Sequence, residues 1–69
     1  MADQAVIGKA GRVTGKIAPG MVGEIMITVR GGSEAFHAYA DDPETTIPVG
    51  CRVLVVEYFP PRTVTVVRM

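Results

Sequence analysis

Gly23-Glu24-Ile25-Met26-Ile27-Thr28-Val29 runs through Arg30-Gly31-Gly32-Ser33 into Glu34-Ala35-Phe36-His37-Ala38-Tyr39-Ala40. Both arms alternate at a period of two, the spacing of strands with one face in a core and the other in water. Ile25, Ile27 and Val29 are expected to point inward, and Glu24, Met26, Thr28 and Arg30 outward. Gly31-Gly32 accommodates the positive φ angles of a tight β-turn, so the stretch reads as a hairpin. Its returning arm sends Phe36 and Ala38 inward and His37 and Tyr39 outward. Small Ala38 and Ala40 beside Phe36 suit the interior of a narrow barrel.

The same alternation extends in both directions. Upstream, Val13, Gly15 and Ile17 share one face, and Arg12, Thr14 and Lys16 the other. Ala18-Pro19-Gly20 stops that strand, because proline lacks the ladder N–H. Residues 1–9 form a lead-in, with Val6-Ile7 laid against the barrel. Downstream, 41–46 is a polar loop where OB-folds often carry a helix, here too short and proline-interrupted for one. Ile47-Pro48-Val49-Gly50 turns into 51–59, the longest expected strand, with apolar residues on both faces. Pro60-Pro61-Arg62 makes a second bend, and 63–68 closes the set with Val64 and Val66 inward. The fold expected is all-β, a small five-stranded antiparallel OB-type barrel, with 10–69 as its single domain.

Composition narrows the function classes. At 69 residues the chain has room for one small core. A domain of that size buries only about 60% of its unfolded surface. Cys51 is the only cysteine, so no intrachain disulfide adds stability. An apolar content of 48% excludes a disordered chain. The longest run of valine, isoleucine and leucine, Val53-Leu54-Val55-Val56, falls far short of the ~18 residues that cross a membrane as a helix. Met1-Ala2-Asp3-Gln4 has no signal-peptide pattern. Seven basic and seven acidic residues give zero formal charge, which argues against a nucleic-acid binder.

Candidate chemistry is sparse. His37 is the one general base on offer, and neither Ser33 nor any third group is set to orient it as a triad requires. Asp41, Asp42 and Glu44 lack the glycine spacing and ligand count of a calcium loop. Cys51 reads as a buried strand cysteine, despite the neighbouring Arg52. One histidine and one cysteine cannot build a four-ligand zinc site. Gly8-Lys9-Ala10-Gly11 lacks the spacing and following helix of a phosphate loop. The expectation is no catalytic residue, no metal and no cofactor.

Two surfaces remain. The outer face of the second and third strands is the usual oligonucleotide site of an OB barrel. It would carry Lys16, Met26, Arg30, His37 and Tyr39, with Arg12 beside them. Tyr39 is the one outward aromatic there on which a base could stack. In size and strand order the chain resembles bacterial translation initiation factor one, whose basic character and binding-loop residues do not recur. The other surface is apolar: Leu54, Val56, Tyr58 and Val67, on the outer side of the last two strands. Left uncovered by the lead-in, these residues would form a patch of the kind that marks a protein interface.

The ordered set Gly11-Arg12-Val13, Ala18-Pro19-Gly20, Gly23-Glu24-Ile25, Phe36-His37-Ala38-Tyr39-Ala40 and Ile47-Pro48-Val49-Gly50-Cys51-Arg52-Val53-Leu54-Val55-Val56 resembles the C-terminal domain of NfeD-family proteins. The resemblance spans roughly residues 8–67. Pro48 and Phe59-Pro60-Pro61-Arg62 depart from the family pattern, both in loops. The resemblance implies an OB-fold interaction or assembly module, normally the soluble tail of a membrane-anchored protein. It further implies a cytoplasmic place at the membrane face and a partner of the stomatin/prohibitin-like (SPFH) type in membrane protein quality control. No direct membrane insertion by this chain is expected. The alternative is a small single-stranded nucleic-acid-binding protein.

The expected core comprises Val13, Ile17, Ile25, Ile27, Phe36, Ala38, Val53, Val55, Val64 and Val66. Ile27→Asp or Val55→Asp is expected to unfold the domain, because an unpaired buried charge exceeds its reserve of stability. A cooperative thermal melt at the parent temperature for either variant would refute that core.

Overall fold

The computed structural model describes residues 6–29 and 31–69. Residues 1–5 of the lead-in, Arg30 and the side chain of Val29 lie outside the described residues. The alternating segments form β1 (Ala10–Gly15), β2 (Gly23–Val29), β3 (Gly32–Ala40), β4 (Arg52–Phe59) and β5 (Thr63–Arg68). They close into a barrel in the order β1-β2-β3-β5-β4. β3, rather than the fourth strand, is the longest, at nine residues against eight.

Four of the five seams are antiparallel, and β3–β5 is parallel. The expected all-antiparallel arrangement fails for a topological reason. Strand direction cannot alternate all the way round a closed ring with an odd number of strands, so one neighbouring pair must run the same way. That seam is short, matching His37–Ala40 of β3 with Thr63–Val66 of β5.

The ten residues of the expected core are buried, and Val6 and Ile47 join them; Gly15 is half-buried, and the side chain of Val29 lies outside the described residues. Val6 belongs to the lead-in, whose backbone prolongs the β1–β4 seam. Gly8 N–H donates to Val55 C=O at 2.8 Å, and Val55 N–H donates to Lys9 C=O at 3.0 Å. Ile47 is fully buried although it lies in a connection. It exchanges both backbone hydrogen bonds with Ile17, at 3.0 and 2.8 Å. β1 starts earlier than the sequence suggests and ends at a register shift between Val13 and Gly15. Ile17 therefore reaches the core from beyond the strand, held by that bridge. Full burial of one isoleucine contributes roughly 1.5–3 kcal/mol, so the Ile17–Ile47 contact closes this end of the barrel at substantial gain.

Gly50 and Gly23 show two different ways in which geometry requires a glycine. Gly50 takes φ +96° in the turn where Cys51 N–H donates to Pro48 C=O at 3.3 Å. Only glycine adopts that conformation without strain. Gly23 has an ordinary φ, but β2 enters the barrel there against the chain leaving β1. A Cβ on Gly23 would lie 2.7 Å from Gly15 O, 2.9 Å from Lys16 O, and against the Ile17 side chain. Backbone oxygens cannot step aside as a flexible side chain can. Gly23→Ala is expected to lower stability by about 2–3 kcal/mol, read from the urea midpoint. An unchanged midpoint would show that β1 and β2 do not approach this closely.

Candidate functional site

The outer wall of β2 and β3 carries the first candidate surface. Met26 is half-buried there, and His37 and Tyr39 are exposed on β3. Lys16 is exposed past the end of β1, while Arg30 lies outside the described residues. These residues do not form one cationic strip. Glu24 stands directly across from His37, and its carboxylate accepts a hydrogen bond from Thr14 Oγ1 at 2.7 Å. An acid at the centre of the face opposes phosphate binding.

His37 shares its face with Ser33, four residues back along the same strand. At about 3.3 Å per residue the two lie about 13 Å apart. No side-chain hydrogen bond joins His37 to a serine, cysteine or carboxylate among the described residues. Asp42 spends its Oδ1 on the N–H of Glu44 at 2.9 Å, which shapes the loop. Among the described residues, no three His, Cys, Asp or Glu side chains converge to hold a metal ion. Cys51 is half-buried against the core.

A groove of about 440 Å³ opens beside His37, lined by Glu24, Ser33, Glu34, Phe36 and Arg62, among others. Arg62 is its strongest feature. Its guanidinium lies 5.4 Å from the Phe36 ring centroid and donates to Ala35 C=O at 2.9 Å. Glu34 accepts from the same nitrogen at 3.4 Å. Phe36 in turn meets Tyr58 edge to face, with ring centroids 6.4 Å apart. This wall is an end-seal of the barrel, built from stabilising contacts.

The second candidate surface, on β4 and β5, divides. Leu54 pairs with Val67 across the seam on the outer side, and both are half-buried. A register shift between Val55 and Glu57 leaves Val56 as an extra residue. Beyond such a bulge the side-chain alternation restarts on the opposite face. Tyr58 therefore pairs with buried Val64 and packs on the core. Its hydroxyl donates to Pro61 C=O at 2.9 Å. The expectation that Tyr58 would lie on the outer side with Leu54 and Val56 is corrected by that bulge.

The exposed large apolar side chains lie elsewhere. Among the described residues they are Ile7, Met21, Val22, Tyr39, Val49, Phe59 and Met69. Met21 and Val22 precede β2, Tyr39 is the penultimate residue of β3, Val49 precedes β4, and Met69 follows β5. All five sit at the end of the barrel where β1, β3 and β5 finish. The sequence signal for them was weak, because Met21, Val22 and Val49 lie among turn-forming prolines and glycines.

Residues 10–67 match the model of the NfeD C-terminal domain. The chain belongs to that family. Solved structures agree with the assignment. The chain is similar to the C-terminal domain of the stomatin operon partner protein 1510-C from Pyrococcus horikoshii. The identity is 32%, the match covers 100% of this chain and 95% of that one, and the TM-score is 0.72. It is also similar to the soluble domain of the NfeD protein YuaF from Bacillus subtilis, at 28% identity over 93% and 73% of the two chains, with a TM-score of 0.75. A further structure shares the fold, at 22% identity, 94% coverage of each chain and a TM-score of 0.79. It is the soluble domain of a membrane protein implicated in regulation of membrane protease activity from Corynebacterium glutamicum. No curated protein sequence matches.

In this NfeD-type barrel the Arg62 contacts are expected to outweigh the surface ion pair. Glu34→Gln should change unfolding free energy by less than about 0.5 kcal/mol, because both partners are roughly half exposed. Arg62→Ala should cost about 1 kcal/mol through the lost carbonyl bond and ring contact. Equal effects in urea titrations would mean that the ion pair, and not the strap over Phe36, seals this end.

Proposed function

We propose that this NfeD-type barrel is a non-catalytic docking module that engages an SPFH (stomatin/prohibitin-like) protein at the cytoplasmic face of a membrane. Residues 10–69 act as one domain, with 1–9 as its lead-in. The observation that carries the reading is the gathering of Met21, Val22, Tyr39 and Val49 at one end of the barrel. Exposed apolar side chains concentrated in this way are characteristic of protein interfaces. Kinship supports the kind of partner, since the 32%-identical Pyrococcus horikoshii domain comes from a stomatin operon partner protein. The module takes no metal or cofactor. Leu54, Val56 and Val67 serve the barrel wall, and the docking surface moves from there to the loop end.

The test is an amide NMR titration of the labelled chain with the soluble part of its cognate SPFH protein. Perturbations are expected at Met21, Val22, Tyr39 and Val49, with weak salt dependence. Met21→Ser combined with Val22→Ser should weaken binding tenfold or more, about 1.4 kcal/mol, with the melt retained. Binding of a single-stranded oligonucleotide through Lys16, His37 and Tyr39, falling steeply with salt, would replace this reading with the nucleic-acid one.

A further inference from the structure

β3 runs further than the strand on its far side. β2 accompanies it from Gly32 to Ala38, whereas β5 pairs with it only from His37 to Ala40. His37 N–H donates to Arg62 C=O at 2.8 Å, so odd-numbered residues of β3 turn their backbone groups toward the β5 side. By alternation Ala35 and Ser33 turn theirs the same way, before β5 has begun. The residues ahead of Thr63 form a turn, and the Arg62 guanidinium takes the next oxygen along, Ala35 C=O, at 2.9 Å. Ser33 N–H, Ser33 C=O and Ala35 N–H have no protein partner among the described residues.

Ring closure covers the valine-rich strands, but this stretch of β3 carries no valine and keeps an open side. Proline, bulges and charged side chains are the usual means of closing such an edge to another chain. β3 has no proline, and its register against β2 runs unbroken here. Ser33 and Ala35 carry small side chains that leave the backbone accessible. The charge on the stretch is Glu34, which makes the edge selective. A second copy of this chain, paired antiparallel over Ser33 and Ala35, would set one Glu34 against the other, and like charges so opposed destabilise a sheet. The groove of about 440 Å³ opens along the same edge, with Glu24 and Glu34 in its lining.

We propose that this edge receives an extended segment of a partner protein, parallel to β3, with a basic side chain opposite Glu34. In a parallel ladder the guest residue across from Glu34 uses both of its backbone groups. Its N–H donates to Ser33 C=O, and its C=O accepts from Ala35 N–H. Ala35 C=O is left to Arg62, whereas an antiparallel guest would have to compete for it. The side chain of that guest residue lies on the Glu34 face. Arg62 is already engaged by a carbonyl and by the Phe36 ring. Its contact with Glu34, at 3.4 Å, leaves the carboxylate with acceptor sites to spare. Lysine or arginine is therefore the complementary side chain, with Glu24 as a second carboxylate on the groove. The site lies at the end of the barrel away from Met21 and Val49 and does not depend on the docking reading.

The labelled full chain is titrated with the peptide acetyl-Thr-Thr-Lys-Thr-Thr-amide at millimolar concentration. Amide shifts are expected at Ser33, Glu34 and Ala35, with the Ala35 N–H moving downfield as it gains an acceptor. Methylating the backbone nitrogen of the central lysine should abolish them, because the guest then has no N–H for Ser33 C=O. A glutamate at the centre of the peptide, or Glu34→Gln in the protein, should weaken binding several-fold. Ala35→Pro should abolish binding and keep the cooperative melt, since the N–H it removes faces away from β2 and proline is tolerated at such edge positions. Should that variant unfold, the methylated peptide on the parent chain decides. Four results would overturn the proposal: no response to the lysine peptide, an equal response to its methylated form, tighter binding of the glutamate peptide, or shifts confined to Met21, Val22 and Val49. The assay contains no SPFH protein, so failure of the docking proposal leaves its outcome unaffected.

Discussion

Closure of a five-stranded ring is the constraint on which the rest of this molecule depends. With an odd number of strands one seam must be parallel, and β3–β5 takes that role over four residue pairs. The remaining seams are then antiparallel, and three of them, β1–β2, β2–β3 and β4–β5, join strands consecutive in the chain through short connections. A narrow ring also limits what fits inside it, so the interior is filled by Val, Ile, Ala38 and a single phenylalanine. It brings the chain leaving β1 so close to β2 that Gly23 has no room for a side chain. Closure removes the free edges that such valine-rich strands would otherwise offer to other chains.

What the sequence revealed follows from which properties are local. Side-chain direction in a strand is set by the backbone of that strand, so alternation alone identified the inner residues. Pairing register is not local, and there the sequence reading failed. One extra residue at Val56 returns Tyr58 to the core, although 51–59 reads as one unbroken strand. Nothing in Val55-Val56-Glu57 marks a bulge, since the extra residue is accommodated by twist between partners distant in the chain. Ile47 escaped for the converse reason. Its neighbours Thr46 and Pro48 read as loop, and only Ile17, across the barrel, gives it a core position.

The surfaces were less legible than the core. Leu54 and Val67 were expected on the outer side, with their exposure depending on the lead-in; they pair there across the seam and are half-buried. The exposed apolar residues instead occupy connections, where turn-forming Pro19, Gly20, Pro48 and Gly50 dominate the reading. Backbone hydrogen bonds from Met21 N–H to Ala18 C=O and from Gly50 N–H to Val13 C=O shape those connections, and Met21, Val22 and Val49 are exposed on them.

Charge neutrality gives the last lesson about reading composition. A zero sum argues against a polyanion ligand only if the charges are mixed on the surface, and here they are sorted. Asp41, Asp42 and Glu44 share one loop, and Glu24 is bound to Thr14, whereas Arg12 and Arg52 meet across a seam. Net charge therefore says only how many charges of each sign the chain carries, whereas strand register says which of them meet.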